Sequence, residues 1–192
     1  VVFKERHNYY CVQPQVNATL YNKIKISDFN HNKDELRNTL NAVFGYDHSE
    51  IKQKYIYFAS VPDEEDNVKK IESDFVIALA EHLGKENLLV KMHPRDTRKV
   101  YEENGLSVLK GSTVPWEVIQ MNLDPKAHIL LTLVSGAFIN IASCNDEIRG
   151  YFLFPSLSLK QQEMLKNIPS VKEMIKRLHD ANCCRNIEAL DK

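Results

Sequence analysis

The chain has 192 residues, of which 25 are basic and 26 acidic, a formal net charge of −1, and 43% hydrophobic residues. That length suits one domain with a sizeable core, or one half of a two-domain enzyme, and the balanced charge excludes a global field that would favour nucleic acid or an anionic membrane as partner. The longest apolar runs fall far short of the roughly 20 residues that span a bilayer, the opening Val1-Val2-Phe3-Lys4-Glu5-Arg6 lacks the order of a signal peptide, and Cys11, Cys144, Cys183 and Cys184 have no zinc-ligand spacing, so free thiols in a reducing cytoplasm are expected.

Residues 1–50 read as an N-terminal segment, a linker or the remnant of a preceding domain, since the chain starts at Val1 without Met. Within it, Leu20 to Phe29 alternates imperfectly and suits a strand. Lys33 to Phe44 sets Leu36, Leu40, Val43 and Phe44 on one helical face, with Gly45 as the stop. Residues 51–157 read as a compact α/β domain. Lys54 to Ser60 has β character, Val61 to Asn67 is an acidic loop, and Val68 to Leu83 places Val68, Ile71, Phe75, Leu79 and Leu83 at helical steps before Gly84. Leu88 to Val90 is apolar without alternation, as in a strand covered on both faces. Thr97 to Asn104 follows as a short charged helix, Leu106 to Leu109 as a strand, and Val114 to Met121 as a helix capped by Ser112 or Thr113 with Pro115 in its first turn. His128 to Val134 is a second buried strand, Ser135-Gly136-Ala137 opens a helix running through Ile141, and Tyr151 to Phe154 is the last strand. Residues 158–192 are helical, broken at Pro169. Strand and helix alternate from residue 54 to 154, which predicts a doubly wound, Rossmann-like parallel sheet flanked by helices.

Ligands of such sheets bind beyond the carboxyl ends of the strands, and four features collect there. Lys91 and His93 close the Leu88 strand, with Pro94 biasing His93 toward extended geometry. Ser135 and Gly136 follow another buried strand and open a helix, so a hydroxyl and backbone N–H groups can face an anion. Glu117, in the first turn of its helix, suits the two hydroxyls of a ribose. Lys91 supplies a point charge for phosphate. One cation, one histidine, one hydroxyl at a helix start and one carboxylate read as a pocket for a nucleoside monophosphate. Trp116 reads as a packing residue. Arg95 and Arg98 either steer an anionic substrate or pair with Glu102 and Glu103, and His7, His31, His48, His82, His128 and His179 form no spaced ligand set.

Lys91-Met92-His93-Pro94-Arg95, then Pro115-Trp116-Glu117, then Ser135 resembles the nucleotide-binding half of bacterial GT-B sialyltransferases, the lipooligosaccharide and polysialic acid group that uses CMP-sialic acid. Glu117 and Ser135 stand 24 and 42 residues after His93, which suits successive strand ends of one sheet. The resemblance spans roughly residues 55 to 155 and rests on the combination, since each motif alone is common. It implies an inverting, metal-independent transfer of sialic acid from CMP-sialic acid, needing no cofactor, to a glycan acceptor such as lipooligosaccharide or capsule. In that scheme His93 contacts the donor phosphate and acts as general acid, Lys91 neutralises the phosphate, Glu117 holds ribose, and Ser135 with Gly136 binds phosphate beside His93-Pro94. The acidic motif of the family has only an approximate counterpart in Glu65-Asp66-Asn67, so the base is Asp66, with Glu65 and Asp63 as substitutes. The family often pairs two serines where this chain has Ser135-Gly136. The resemblance also expects a preceding Rossmann-like domain, a cytoplasmic location, and leaves open association with the inner face of the membrane and a homodimer. Two other readings stand beside it: a related transferase acting on CDP-activated polyol phosphates, and a non-catalytic α/β module that binds a nucleotide or a protein.

Overall fold

The computed structural model describes residues 9–10, 24–25, 33–46, 51–60, 66–93, 95–109, 114–124, 126–138 and 149–180. A small parallel pair joins β1 (Tyr9–Tyr10) to β2 (Ile24–Lys25). The main sheet contains β3 (Tyr55–Phe58), β4 (Leu88–Lys91), β5 (Ser107–Val108), β6 (Ile129–Thr132) and β7 (Arg149–Phe152). Its five strands are all parallel and run in the order β5-β4-β3-β6-β7. The expected α/β, Rossmann-like architecture is therefore present. β6 is buried at every position and β3 at its last three, as strands covered on both faces must be.

The helices are α1 (Lys33–Phe44), α2 (Asp66–Leu83), α3 (Val100–Glu103), α4 (Trp116–Gln120), α5 (Leu159–Lys166) and α6 (Pro169–Asp180), with helical residues 136–138 following β6. Side chains alternate across a strand, so neighbouring residues of β3 report which helices cover which face. Tyr57 reaches Glu72 of α2. Phe58 points the other way, its ring edge-on to Trp116 of α4 at 4.7 Å between centroids and to Phe138 at 6.4 Å. Edge-to-face pairs of this kind contribute about 0.5–1.5 kcal/mol beyond the area they bury. α1 docks on the α4 side, where Asn41 and Asn122 exchange reciprocal amide hydrogen bonds of 3.0 and 2.9 Å.

Boundary signals read in the sequence correspond to physical stops. Gly84 ends α2 with φ of +85°, a backbone conformation that side chains resist. Ser158 caps α5 through a reciprocal exchange with Gln161, and Pro169 starts α6, where its missing N–H has no intrahelical partner to lose.

Three expectations are corrected. On α1, Val43 and Phe44 are 70% and 39% exposed, while the polar Asn41 is buried through its partner Asn122. The cap of α4 is Pro115, with extended backbone; Ser112 and Thr113 lie outside the described residues. On α2 the deepest row is Val68, Glu72, Val76 and Ala80, spaced four apart, with Ile71, Phe75, Leu79 and Leu83 half-buried beside it. Periodicity chose the larger apolar residues of two adjoining rows. The row nearest the sheet carries smaller ones because that is where helix and strands approach most closely.

Candidate functional site

The strand order reverses at β3. Connections from β3 to β4 and β5 leave on one side, and the chain then returns to place β6 on the other side of β3. The switch point of the sheet, the default crevice for a ligand, thus lies beyond the carboxyl ends of β3 and β6. Phe58 pairs with Lys91 on one side and Thr132 on the other. Lys91 and Thr132 therefore sit level across the edge, about 10 Å apart at two strand spacings.

Residues paired across parallel strands share a face, so Lys91 belongs to the Phe58 side, with α4. The residue is half-buried. Burial pushes its pKa below the ordinary value, and the nearby charge of Glu117 works against that shift. Glu117 itself is exposed in the first turn of α4. Trp116, one residue earlier, is fully engaged in packing on Phe58, as the sequence suggested, although its indole N–H has no hydrogen-bond partner among the described residues.

His93 lies two residues past β4 at the head of a tight turn, where its carbonyl accepts from the N–H of Asp96 at 2.8 Å and its Nδ1 accepts from the N–H of Arg95 at 3.2 Å. With Nδ1 so engaged, the proton of a neutral ring resides on Nε2. Arg98 grips Asp96 through contacts of 2.6 to 3.1 Å and reaches the carbonyl of Lys69 on α2 at 3.4 Å. This replaces the alternative pairing of Arg98 with Glu102 or Glu103. Burial alone would raise the Asp96 carboxyl, but the hydrogen bonds and charge of Arg98 outweigh it and hold the pKa below its usual value.

Ser135 is 7% exposed and directly precedes helical residues 136–138, which begin with Gly136. Asp66 is the first residue of α2; Glu65, Asp63 and Pro94 lie outside the described residues. Lys91 and Glu117 are thus brought into electrostatic reach of each other, while His93 and Ser135 stand beyond the carboxyl ends of β4 and β6. His128 is buried with Nδ1 2.9 Å from the carbonyl of Gln53, a structural role. Among the described residues no group of three or more His, Cys, Asp or Glu is arranged to hold a metal ion, and no helix is long and apolar enough to cross a membrane.

One element of this edge escaped the sequence reading. Glu72, only 3% exposed, accepts from the Ser60 N–H at 3.0 Å, from Ser60 Oγ at 2.6 Å and from Tyr57 Oη at 3.0 Å. Tyr57 Oη accepts in turn from the N–H of Leu133 at 3.3 Å. Burial raises the pKa of Glu72, against the pull of these donors and the charge of Arg98. The available signal was a carboxylate four residues from both Val68 and Val76, on the core row of its helix.

Fold and edge together define a class: a doubly wound, Rossmann-like α/β unit with polar groups assembled at its switch point. Neither a protein-family model nor a curated protein matches the sequence.

Proposed function

We propose that this chain is the donor-binding half of a GT-B sialyltransferase that transfers sialic acid from CMP-sialic acid to a glycan acceptor with inversion and without a metal. The observation that supports the reading most is the half-buried Lys91 held beside the charge of Glu117 at the carboxyl edge of the sheet. An ammonium withdrawn from water in that position is costly; a ligand phosphate would give it a partner besides Glu117. His93 follows two residues later, past the end of the same strand.

In the proposed reaction the acceptor hydroxyl attacks the anomeric carbon of sialic acid as the bond from that carbon to the CMP phosphate oxygen breaks. The acceptor proton passes to a carboxylate, Asp66 or Glu65. Lys91 and Ser135 stabilise charge on the departing phosphate and His93 donates a proton to it from Nε2. Glu117 holds the ribose. A monophosphate leaving group develops less charge than a diphosphate, so one protein cation takes the role that a divalent ion often fills.

Calorimetric titration with CMP and with CDP, in EDTA, tests the reading. CMP is expected to bind more tightly than CDP, and both His93→Ala and Ser135→Ala are expected to weaken it. A folded chain that binds neither nucleotide overturns the donor-site reading and favours a module that recognises another partner. Tighter binding of CDP favours transfer from CDP-activated polyol phosphates instead.

A further inference from the structure

We propose that Glu72 is a positioning residue for the donor site, setting the course of the segment that carries Ser135; the functional part of this inference rests on the donor-site reading. Among the described residues, the hydrogen bonds of Glu72 reach none assigned to the donor. What it touches are the two strand ends that frame the switch point. Three of its hydrogen bonds come from β3 and the residue just past Ala59, namely Tyr57 Oη and both donors of Ser60. Tyr57 Oη then takes the N–H of Leu133, the first residue after β6 and two before Ser135. A further link lies alongside, from Thr132 Oγ1 to the carbonyl of Phe58 at 3.0 Å.

The geometry explains why a strut is needed there. β3 and β6 are paired as far as Phe58 and Thr132; Leu133, the next residue, lies past the end of that ladder and is 1% exposed. A backbone N–H freed at that point and buried is costly to leave unmade. The Leu133 N–H finds Tyr57, and Tyr57 is aimed by Glu72. Ser60, although it stands beside the crevice, has both its donors turned onto Glu72. It therefore belongs to the support of the site and not to its lining. An apolar residue at 72 would fill the space but could orient neither hydroxyl.

Three proteins decide the matter: Glu72→Gln, Tyr57→Phe, and Val76→Ala as a control, since Val76 is fully buried on the same row of α2 but makes no polar link to the strand ends. Amide hydrogen exchange is followed over residues 130–138, at denaturant concentrations that match the three in global stability. Glu72→Gln and Tyr57→Phe are expected to speed exchange in that segment several-fold over Val76→Ala. CMP affinity is expected to fall about tenfold in Glu72→Gln and less in Tyr57→Phe, with Val76→Ala near wild type. Equal exchange in all three proteins overturns the proposal and leaves Glu72 a packing element. Wild-type binding of CMP that Glu72→Gln retains in full also overturns it while the donor reading stands. Should the wild type bind no CMP, the donor reading fails, and the exchange pattern alone decides whether Glu72 sets the path of the β6 end. Tyr57→Phe keeps the test open if Glu72→Gln does not fold, because it removes the Leu133 link while leaving the carboxylate on Ser60.

Discussion

The two faces of the sheet meet its carboxyl edge in opposite ways. On the α2 face the edge is sealed: Glu72, Tyr57 and Ser60 are buried and consume one another's hydrogen-bonding capacity. On the α4 face the edge is open, with Lys91 half-buried, Glu117 exposed, and His93 half-buried at the head of a turn where it accepts from the N–H groups of Arg95 and Asp96. Polar groups on the sealed face answer to the fold, and those on the open face are the ones the proposed donor site draws on. Similar residue types thus take different roles according to which side of one strand they occupy.

Substitutions on the two faces break or sharpen this contrast. The largest effect is expected for Glu72→Ala, which leaves buried donors unpaired and should lower stability by about 3 kcal/mol in urea unfolding, whereas His93→Ala on the open face should stay within about 0.5 kcal/mol. Equal losses would erase the distinction. Tyr57→Phe should follow at about 1–2 kcal/mol, because the Leu133 N–H loses its acceptor. Lys91→Gln should leave the unfolding midpoint unchanged yet weaken CMP by about tenfold, or about 1.4 kcal/mol; a loss of stability with unaltered binding would move Lys91 to the structural side.

The smallest effect lies in pH dependence, where the two buried carboxylates have opposite signs. Glu72 has a folded pKa above its ordinary 4.5, so the native state holds a proton that the unfolded chain has released, and its contribution, full below 4.5, declines as pH rises through the raised pKa. Asp96 is held below its ordinary 3.8; its contribution is present above 3.8 and is lost as pH falls through the lowered pKa. Unfolding curves collected against pH should therefore show wild type losing ground to Glu72→Gln as pH rises above 4.5, and to Asp96→Asn as pH falls below 3.8. Slopes of the same sign would contradict this assignment.

The sheet was legible because its central strands are apolar on both faces: Leu88 to Val90 and Ile129 to Leu131 could hardly be placed elsewhere. Gly45 and Gly84 marked helix ends through a backbone requirement that sequence displays directly. The placement of Lys91 and Ser135 at strand ends followed from those strands. Glu72 was not legible, because its partners lie at Ser60, 12 positions away, and, through Tyr57, at Leu133, contacts that exist only once the sheet has formed. A carboxylate in an amphipathic helix reads as solvent-facing until its donors are known. Val43 and Phe44 failed the opposite way: helical spacing identifies a face but not whether a neighbour covers it. Arg98 was offered glutamates one helical turn ahead and instead folds back on Asp96, where its planar fork meets both carboxylate oxygens.

Gly150 of β7 has no room for a side chain: a methyl carbon there would lie 2.6 Å from Cζ of Phe138. Phe138 rests against Phe58, and Phe58 against Trp116, the residue before Glu117. A change at the rim of the sheet must therefore be absorbed by a row of rings ending at the helix that carries a candidate ribose ligand. Over evolutionary time position 150 and positions 138, 58 and 116 are expected to vary together or stay fixed together, so that lineages of this domain would carry a shared history between an edge strand and the helix that presents Glu117.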